Sequence, residues 1–180
     1  MGGVDKALAL LAGQPLLAHV QARFAPQVEH LALSANGDPA RFAAFGLPVL
    51  PDAAARGPLS GILQALLWAG PLGATAVVSV PVDGPFLPPD LVPRLCLAAE
   101  GPGIAMAASD GTLHPTFALW PVSLAPALAT FLASGVKERV RAFAADHNAA
   151  TAHFPDALAF ANANTADDLT RLAPLAEAPP

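Results

Sequence analysis

The first residues that could carry chemistry are the glycine pair Gly2–Gly3 and the charged residues Asp5 and Lys6 behind it. Glycines expose backbone N–H groups to an anion, and a lysine nearby can neutralise phosphate oxygens. The pattern is typical of the end of a phosphate-binding loop, which in a nucleotide-binding α/β fold follows a buried strand. No such strand stands before it here. Either the match is a coincidence, with Lys6 a solvated surface charge, or further residues belong in front of it.

Polar side chains also follow three apolar segments that we expect to form strands. Asp83 comes after TAVVSVPV, Asp52 after LPVLP, and Ser34 and Asn36 after VEHLAL. Ligands of open α/β sheets bind at the carboxyl ends of the strands, so these side chains are candidates for one site. A carboxylate in this position, Asp83 above all, is suited to holding Mg²⁺ against triphosphate oxygens. Both aspartates could instead be turn or helix-capping residues.

A further candidate segment, from Gly57 to Gly61 (GPLSG), precedes an apolar helical run. Its glycines would let backbone N–H groups at a helix start approach a ligand, although Gly-Pro is also ordinary turn chemistry. His114 stands before a proline that holds it extended, so it either contacts a ligand or fills the start of a strand.

Two asparagines, Asn162 and Asn164, stand just before the last expected helix. Their amides suit a polar heterocycle, and turn chemistry explains them equally well. Thr165 as the N-cap, with Asp168 at the capping-box position, is a local helix start that needs no ligand.

Apolar runs and helical patterns alternate along the chain, which predicts an α/β fold with a mixed, mostly parallel sheet covered by helices on both faces. Asp110-Gly111 predicts the turn of one antiparallel hairpin. The expected strands are 28–34, 47–50, 75–80, 103–109, 114–120, 150–154 and a segment within ALAFANA (157–163). The expected helices are 14–25, 38–45, 59–69, 89–99, 123–133, 137–146 and 166–172.

Composition narrows the class of protein. A chain of 180 residues with 54% hydrophobic content suits one domain, expected over 1–173, with a flexible tail over 174–180. Nine Lys and Arg and a net charge of −5 argue against nucleic acid as a partner. The absence of a long apolar run or basic leader predicts a soluble, cytoplasmic protein without a membrane partner.

Cys96 is expected to be a small core residue. Zinc-site, G-x-S-x-G and Walker A spacings are absent from the sequence.

Taken in order, the segments MGGVDKAL, SANGD, PVLPD, GPLSG, PVDGPFLP, HPTFAL and NANTADDL resemble the molybdenum cofactor guanylyltransferase family of the MobA type, over essentially the whole chain. The resemblance implies a Rossmann-like nucleotidyltransferase that joins GMP from GTP to the phosphate of molybdenum-bound molybdopterin and releases pyrophosphate. It implies in-line attack on the α-phosphorus without a covalent enzyme intermediate. Chaperones of molybdoenzymes are candidate protein partners.

The resemblance also implies roles for individual residues. Lys6 would contact the phosphates of GTP, Asp83 would hold Mg²⁺, and Asp52 would help to bind the nucleotide together with the loop from Gly57 to Gly61. Ser34 stands where the family usually has an asparagine on the guanine side. The remaining candidates, His114, Asn162 and Asn164, would lie toward the pterin.

Two further departures from the family pattern matter. Family members generally begin with a strand and a loop of the form LAGGxxxRMGG, and this chain starts at the Met within that pattern. The missing strand would be central, between 28–34 and 75–80, and its loss would leave backbone groups unpaired. We therefore expect Met1 to be an internal methionine and the natural protein to continue upstream. Gly84 stands where a threonine often follows the metal aspartate.

The sequence leaves two alternative functions open. One is a related nucleotidyltransferase that uses CTP or a sugar phosphate. The other is an inactive pterin-binding protein that lacks the phosphate loop.

Overall fold

The computed structural model describes residues 5–52, 57–100, 103–134 and 140–177. The strands are β1 (Leu10–Leu11), β2 (Gln14–Pro15), β3 (Leu33–Ser34), β4 (Val49–Leu50), β5 (Ala76–Ser79), β6 (Ala105–Ser109), β7 (Thr112–Pro121) and β8 (Ala150–Phe154). The α-helices are α1 (Leu16–Phe24), α2 (Pro58–Ala69), α3 (Leu91–Ala98), α4 (Ala125–Ala133), α5 (Val140–Asp146) and α6 (Ala166–Glu177). Short 3₁₀ helices cover Lys6–Leu8, Ala25–Gln27, Pro39–Phe45, Gly70–Leu72, Val122–Leu124 and Leu158–Phe160.

The main sheet has four strands in the order β5-β7-β6-β8. Strand β7 is antiparallel to both of its neighbours, while β6 and β8 are parallel, so three strands share one direction and β7 opposes them. Residues Asp110 and Gly111, at φ +46° and +72°, form the tight turn between β6 and β7. The expected mixed sheet with one antiparallel hairpin is confirmed.

Helices pack on both faces of this sheet, as the sequence predicts. On one face Ala105 and Ala107 of β6 join a cluster with residues of α1 and α3, and on the other Ile104 and Met106 join residues of α2, α4 and α5. All five residues of β6 are buried, because helices cover both faces of this central strand. A third cluster packs Leu11 and Leu16 against Leu172 of α6.

Several sequence predictions differ from the structure at the ends of the elements. Residues 10–15 form the small hairpin β1–β2, which was not expected, and ALAFANA contains a 3₁₀ turn rather than a strand. Residues 174–177 of the expected tail continue α6, because Ala173 and Ala176 pack on the third cluster. The expectation for Cys96 was wrong, since its side chain is exposed.

No helix among the described residues is long and apolar enough to cross a membrane.

The strand expected over 28–34 is reduced to β3, which pairs in parallel with the equally short β4. Among the described residues, strand β5, which was expected to be buried, is an edge strand of the main sheet, and all four of its residues are half-buried. Between β3 and β5 lies a groove of about 730 Å³, which we call the β3–β5 groove. It is bordered by 28–34 on one side and 74–83 on the other.

Packing around Gly84 provides a test of this core. A Cβ atom at Gly84 would lie 2.6 Å from Cζ of the buried Phe117, which explains why no larger residue stands here. We predict that Gly84→Ala lowers the free energy of unfolding by about 1–3 kcal/mol through overpacking, measured by urea denaturation.

Gly103→Ala is the matched control, because no described atom lies within 4 Å of its added Cβ. It should change the free energy of unfolding by less than about 0.5 kcal/mol. Equal effects of the two substitutions would contradict the packing described for Phe117.

Candidate active site at the strand ends

The ammonium group of Lys6 joins three segments that are distant in the sequence. It donates to Oδ2 of Asp83 at 3.2 Å and to Oδ1 of Asn164. Lys6 begins a short 3₁₀ turn whose N-cap is Asp5, which accepts a hydrogen bond from the N–H of Ala7. Asp83 lies in the loop after β5 and Asn164 just before α6. The structure thus brings together three residues that the sequence singled out separately.

The backbone holds this cluster in place. The N–H of Ala163 donates to the carbonyl oxygen of Asp83 at 2.8 Å, which ties the segment before α6 to the loop after β5. The side chain of Asp83 is 16% exposed and that of Lys6 is 44% exposed. Ion pairs at such exposure contribute about 0–1 kcal/mol to stability, so Lys6 can exchange Asp83 for another anion at little cost.

The start of α6 has the expected capping box. Asp168 Oδ2 accepts hydrogen bonds from the backbone N–H groups of Asn164 and Thr165 and from the Thr165 hydroxyl, while the N–H of Asp168 donates to Thr165 Oγ1. The Thr165 hydroxyl, followed by Arg171, lowers the pKa of Asp168 below its ordinary value of 3.8. The cap therefore fixes the backbone from which Asn164 reaches Lys6.

A second polar cluster lies around Asp52. Its N–H donates to Oδ1 of Asn36 at 3.0 Å, and its Oδ2 lies 2.6 Å from the hydroxyl of the buried Ser60. The same hydroxyl lies 2.8 Å from the carbonyl oxygen of Gly57, whose φ of +98° favours glycine. The start of α2, the loop after β4 and the loop after β3 are thereby connected.

Ser34 and Gly61 are in direct contact at the edge of this cluster. A Cβ atom at Gly61 would lie 2.7 Å from Oγ of Ser34, so the glycine allows α2 to pack closely on β3. Both residues line the β3–β5 groove, together with Asp52, Gly57 and Asp83. Five of the residues selected from the sequence therefore share one cavity.

Arg41 connects the two polar clusters. Its Nε donates to Asp5 at 2.9 Å, and its guanidinium also donates to the carbonyl oxygen of Asn36. Because Asp5 and Lys6 are adjacent, the loops after β3 and β5 meet at the same short turn. The sequence analysis missed Arg41, and it included Asp5 and Ser60 only as members of the segments MGGVDKAL and GPLSG, without a role of their own. Ser60 could have been found within the segment GPLSG. Nothing in the sequence around Arg41 distinguishes this residue from a surface arginine.

His114 lies beside this site rather than in it. Its Nε2 shares a hydrogen bond of 2.8 Å with the hydroxyl of buried Ser109, and its ring stacks on Phe160 at 4.4 Å. Burial, and secondly the charge of Arg141, lowers the pKa of His114, which favours the neutral imidazole. Phe117, the ring that packs on Gly84, stands edge-on to His114. Asn162 is exposed at the surface.

The carboxylates of the site do not form a cage for a metal. Within the described ranges, no three His, Cys, Asp or Glu side chains come together as metal ligands. The hard oxygens of the Lys6 cluster belong to Asp83 and Asn164. This arrangement fits an ion that takes one carboxylate from the protein and its other ligands from phosphate and water, as Mg²⁺ does.

The capping box of α6 makes a pH-dependent prediction. Because the folded-state pKa of Asp168 is lowered, its stabilisation is present above the ordinary carboxyl pKa and is lost as the pH falls through the folded-state value. We predict that Asp168→Ala lowers the urea midpoint at pH 7 and weakens the loss of stability on acidification. Asp167→Ala, in the same helical turn, is the control. A pH profile that is identical for the two variants would contradict the assignment.

Comparisons with known proteins agree on one family. A family model described as the MobA-like NTP transferase domain matches residues 1–151. A molybdenum cofactor guanylyltransferase of Cereibacter sphaeroides is 56% identical over 95% of this chain and 88% of its own length. One of Bradyrhizobium sp. (strain ORS 278) is 48% identical over 98% and 87%.

Solved structures show the same fold at low sequence identity. Molybdopterin-guanine dinucleotide biosynthesis protein A of Archaeoglobus fulgidus superposes with a TM-score of 0.74 at 20% identity, covering 97% of this chain and 91% of that one. The 2-C-methyl-D-erythritol 4-phosphate cytidylyltransferase of Thermus thermophilus gives 0.69 at 19% identity, covering 96% and 94%. The chain has a nucleotidyltransferase fold, and it belongs to the family of MobA-like NTP transferases.

Proposed function

We propose that this protein transfers GMP from GTP to the phosphate of molybdenum-bound molybdopterin, forming the guanine dinucleotide form of the cofactor and releasing pyrophosphate. Relatives between 46% and 56% identical that cover most of the chain are named for this activity. The structural observation that carries the proposal is the Lys6 ammonium, 3.2 Å from Asp83 at the carboxyl ends of the strands. We assign the reaction to the cytoplasm, as expected from the sequence.

Lys6 is proposed to bind the phosphates of GTP. Its ion pair with Asp83 is partly exposed, so a phosphate oxygen can replace the carboxylate as its partner. The capped turn that Lys6 begins and the hydrogen bond to Asn164 hold the ammonium group in place before the nucleotide binds. Such preorganisation offsets charge on the leaving pyrophosphate without a rearrangement of the protein.

Asp83 is proposed to hold Mg²⁺ once a phosphate oxygen replaces its carboxylate as the partner of Lys6. The ion would neutralise charge on the phosphate oxygens during transfer. The carboxylate suits this role because its backbone is fixed independently by the hydrogen bond from Ala163. The protein then positions the side chain without help from the bound ligand.

The Asp52 cluster is proposed to bind the nucleoside part of GTP. Ser34 and Asp52 offer hydroxyl and carboxylate groups in the β3–β5 groove, where the N-terminus of α2 also lies, and the amide oxygen of Asn36 accepts from the N–H of Asp52. Ser60 orients the carboxylate of Asp52 from a buried position.

The pterin is proposed to bind on the other side of Lys6, toward Asn162, Asn164 and His114. Ser109 and Phe160 hold the imidazole of His114 from two directions. An oxygen of the pterin phosphate would attack the α-phosphorus in line, and no covalent enzyme intermediate is needed. Chaperones of molybdoenzymes are proposed to receive the product.

Removing the Asp83 carboxylate tests this assignment. We predict that Asp83→Ala lowers kcat by about 100–1000-fold, since one preorganised electrostatic group is lost. The measurement is pyrophosphate release with GTP, Mg²⁺ and molybdenum-loaded molybdopterin. The fold should survive, because the bond from Ala163 goes to the backbone of residue 83.

The matched control is Asp146→Asn, an exposed carboxylate on α5. It should leave kcat unchanged. If the Asp83→Ala variant released pyrophosphate at the wild-type rate, the assignment of Asp83 as a metal ligand would be wrong.

Nucleotide choice separates the proposed function from that of a cytidylyltransferase. With Mg²⁺ present, we predict that saturating GTP raises Tm by several degrees and that CTP raises it less, because only a nucleotide bound to the folded state stabilises it. Differential scanning fluorimetry at equal nucleotide concentrations measures both shifts. A larger rise in Tm with CTP than with GTP would contradict the assignment of GTP as the substrate.

A further inference from the structure

The side chains of Ser109 and His114 meet across the hairpin that β6 forms with β7. His114 lies opposite Ala107 in the register of this hairpin, so Ser109, two residues further along β6, is its diagonal neighbour on the same face of the sheet. The hydroxyl oxygen of Ser109 lies 2.8 Å from Nε2 of His114. Because Ser109 is only 3% exposed, its hydroxyl is shielded from water.

Aromatic rings hold the imidazole of His114 in one plane. It stacks on Phe160 at a centroid distance of 4.4 Å with an angle of 7° between the rings, and Phe117 stands edge-on to it at 6.3 Å. Phe160 is fixed in turn by edge contacts with Phe117 and Phe154. The ring of His114 therefore has a defined orientation, in which Nε2 is the nitrogen that meets Ser109.

The direction of this hydrogen bond follows from the proton of the buried hydroxyl. Among the described residues, Nε2 of His114 is the only hydrogen-bond partner of the Ser109 side chain. If Nε2 carried a proton and donated it to the serine oxygen, the hydroxyl proton would be buried without an acceptor, which is rare and costly in proteins. A doubly protonated imidazolium would leave the same proton unpaired. The arrangement that satisfies both groups has the Ser109 hydroxyl donating to an unprotonated Nε2.

An imidazole whose Nε2 is unprotonated carries its proton on Nδ1. Burial, and secondly the charge of Arg141, lowers the pKa of His114, in agreement with a neutral ring. Within the part of the chain that the structure describes, Nδ1 has no hydrogen-bond partner. His114 is half-buried, and it thus presents an N–H donor that is free to bind another molecule.

We infer that Ser109 is a positioning residue that fixes His114 as the neutral Nδ1–H tautomer, and that this N–H donates to an oxygen of the pterin substrate. The tautomer rests on the geometry of the hairpin alone. The identity of the ligand rests on the proposed function, which puts the pterin on the side of His114. Arg141 adds a positive charge nearby, since its Nη2 donates to the carbonyl oxygen of Leu113 at 3.2 Å. That charge favours an oxygen acceptor at Nδ1.

This tautomer excludes His114 as the general base of the reaction. A general base needs a nitrogen with a free lone pair. The lone pair of Nε2 accepts the hydrogen bond from Ser109, and Nδ1 already carries a proton. His114 therefore binds the substrate and does not deprotonate it. The two roles differ in size, because a general base contributes about 10²–10⁴-fold to kcat, whereas loss of one hydrogen bond weakens binding about tenfold.

Nitrogen NMR of the ¹⁵N-labelled protein at pH 7 tests the tautomer without any substrate. Long-range proton–nitrogen spectra distinguish a protonated ring nitrogen from an unprotonated one, and the signals of His114 are assigned by their loss in His114→Asn. We expect a protonated Nδ1 and an unprotonated Nε2. His19 is the internal control, because its Nε2 lies 2.8 Å from the carbonyl oxygen of Leu11, which can only accept, so this Nε2 should be protonated.

Substitution of Ser109 tests its positioning role. Ser109→Ala removes the donor, so we expect the ring nitrogens of His114 to give the averaged signals of two exchanging tautomers and the KM for molybdenum-loaded molybdopterin to rise several-fold. Ser109→Thr keeps the hydroxyl and should retain the wild-type nitrogen signals. Circular dichroism checks that both variants are folded. If either does not fold, the wild-type spectrum decides.

Variants of His114 test the donor itself. His114→Leu removes both nitrogens and should raise the KM for molybdenum-loaded molybdopterin about tenfold, with the loss in KM rather than in kcat. His114→Asn can place an amide N–H near the position of Nδ1 and should recover most of this affinity.

Two probes identify the oxygen that the N–H meets. Inorganic phosphate offers phosphate oxygens, and 6-hydroxymethylpterin offers a ring carbonyl without phosphate. We expect one of them to shift the Nδ1 signal of His114 in the labelled wild-type protein. If neither shifts it, the assignment of this N–H to the pterin substrate is wrong.

Three further results would overturn the inference. The first is a protonated Nε2 of His114 in the wild-type protein at pH 7. The second is an unchanged tautomer in folded Ser109→Ala. The third is a fall of kcat by a hundredfold or more in His114→Leu at unchanged KM, since it would make the imidazole a general base. If the wild-type protein itself releases no pyrophosphate from GTP with loaded molybdopterin, the proposed function fails, and the nitrogen spectrum still decides the tautomer.

Discussion

The loop after β5 is fixed twice, once through its backbone and once through a side chain, and the site depends on this double attachment. The carbonyl oxygen of Asp83 binds the N–H of Ala163, while the carboxylate binds Lys6. The first bond is structural and persists whatever occupies the site. The second is a partly exposed ion pair in which another anion can replace the carboxylate at little cost. The backbone of the loop is thus held in place, while the ion pair of its carboxylate can be exchanged. A binding site for a charged ligand requires both properties.

The main sheet supports this loop through the buried strand β6 and the reversed strand β7. Because β7 lies between β5 and β6, the hairpin that it forms with β6 connects the loop after β5 to the interior of the molecule. Phe117 of β7 packs directly on Gly84, beside Asp83. The aromatic cluster of Phe117, Phe160 and His114 extends this support toward the segment that carries Asn164.

Much of the fold follows from local sequence signals. The Asp-Gly turn, the apolar periodicity of α2 and the capping box of α6 each depend on a few neighbouring residues, and the structure contains all three. The extent of β3 could not be read in this way, because a strand is only as long as the neighbour it pairs with, and β4 has two residues. Likewise, nothing adjacent to Arg41 indicates that its partners are Asp5 and Asn36, since three segments must converge before the contact exists.

The helix α6 lies far along the chain from Lys6, yet it packs against the hairpin that follows that lysine. Leu172 is fully buried in a cluster with Ala9 and Leu11, immediately after the Lys6 turn. Loosening this contact would shift the ammonium group without altering any residue that touches a substrate. Under the proposed role of Lys6 in binding phosphate, substitutions in the last helix would therefore be expected to lower phosphate affinity as well as the stability of the fold.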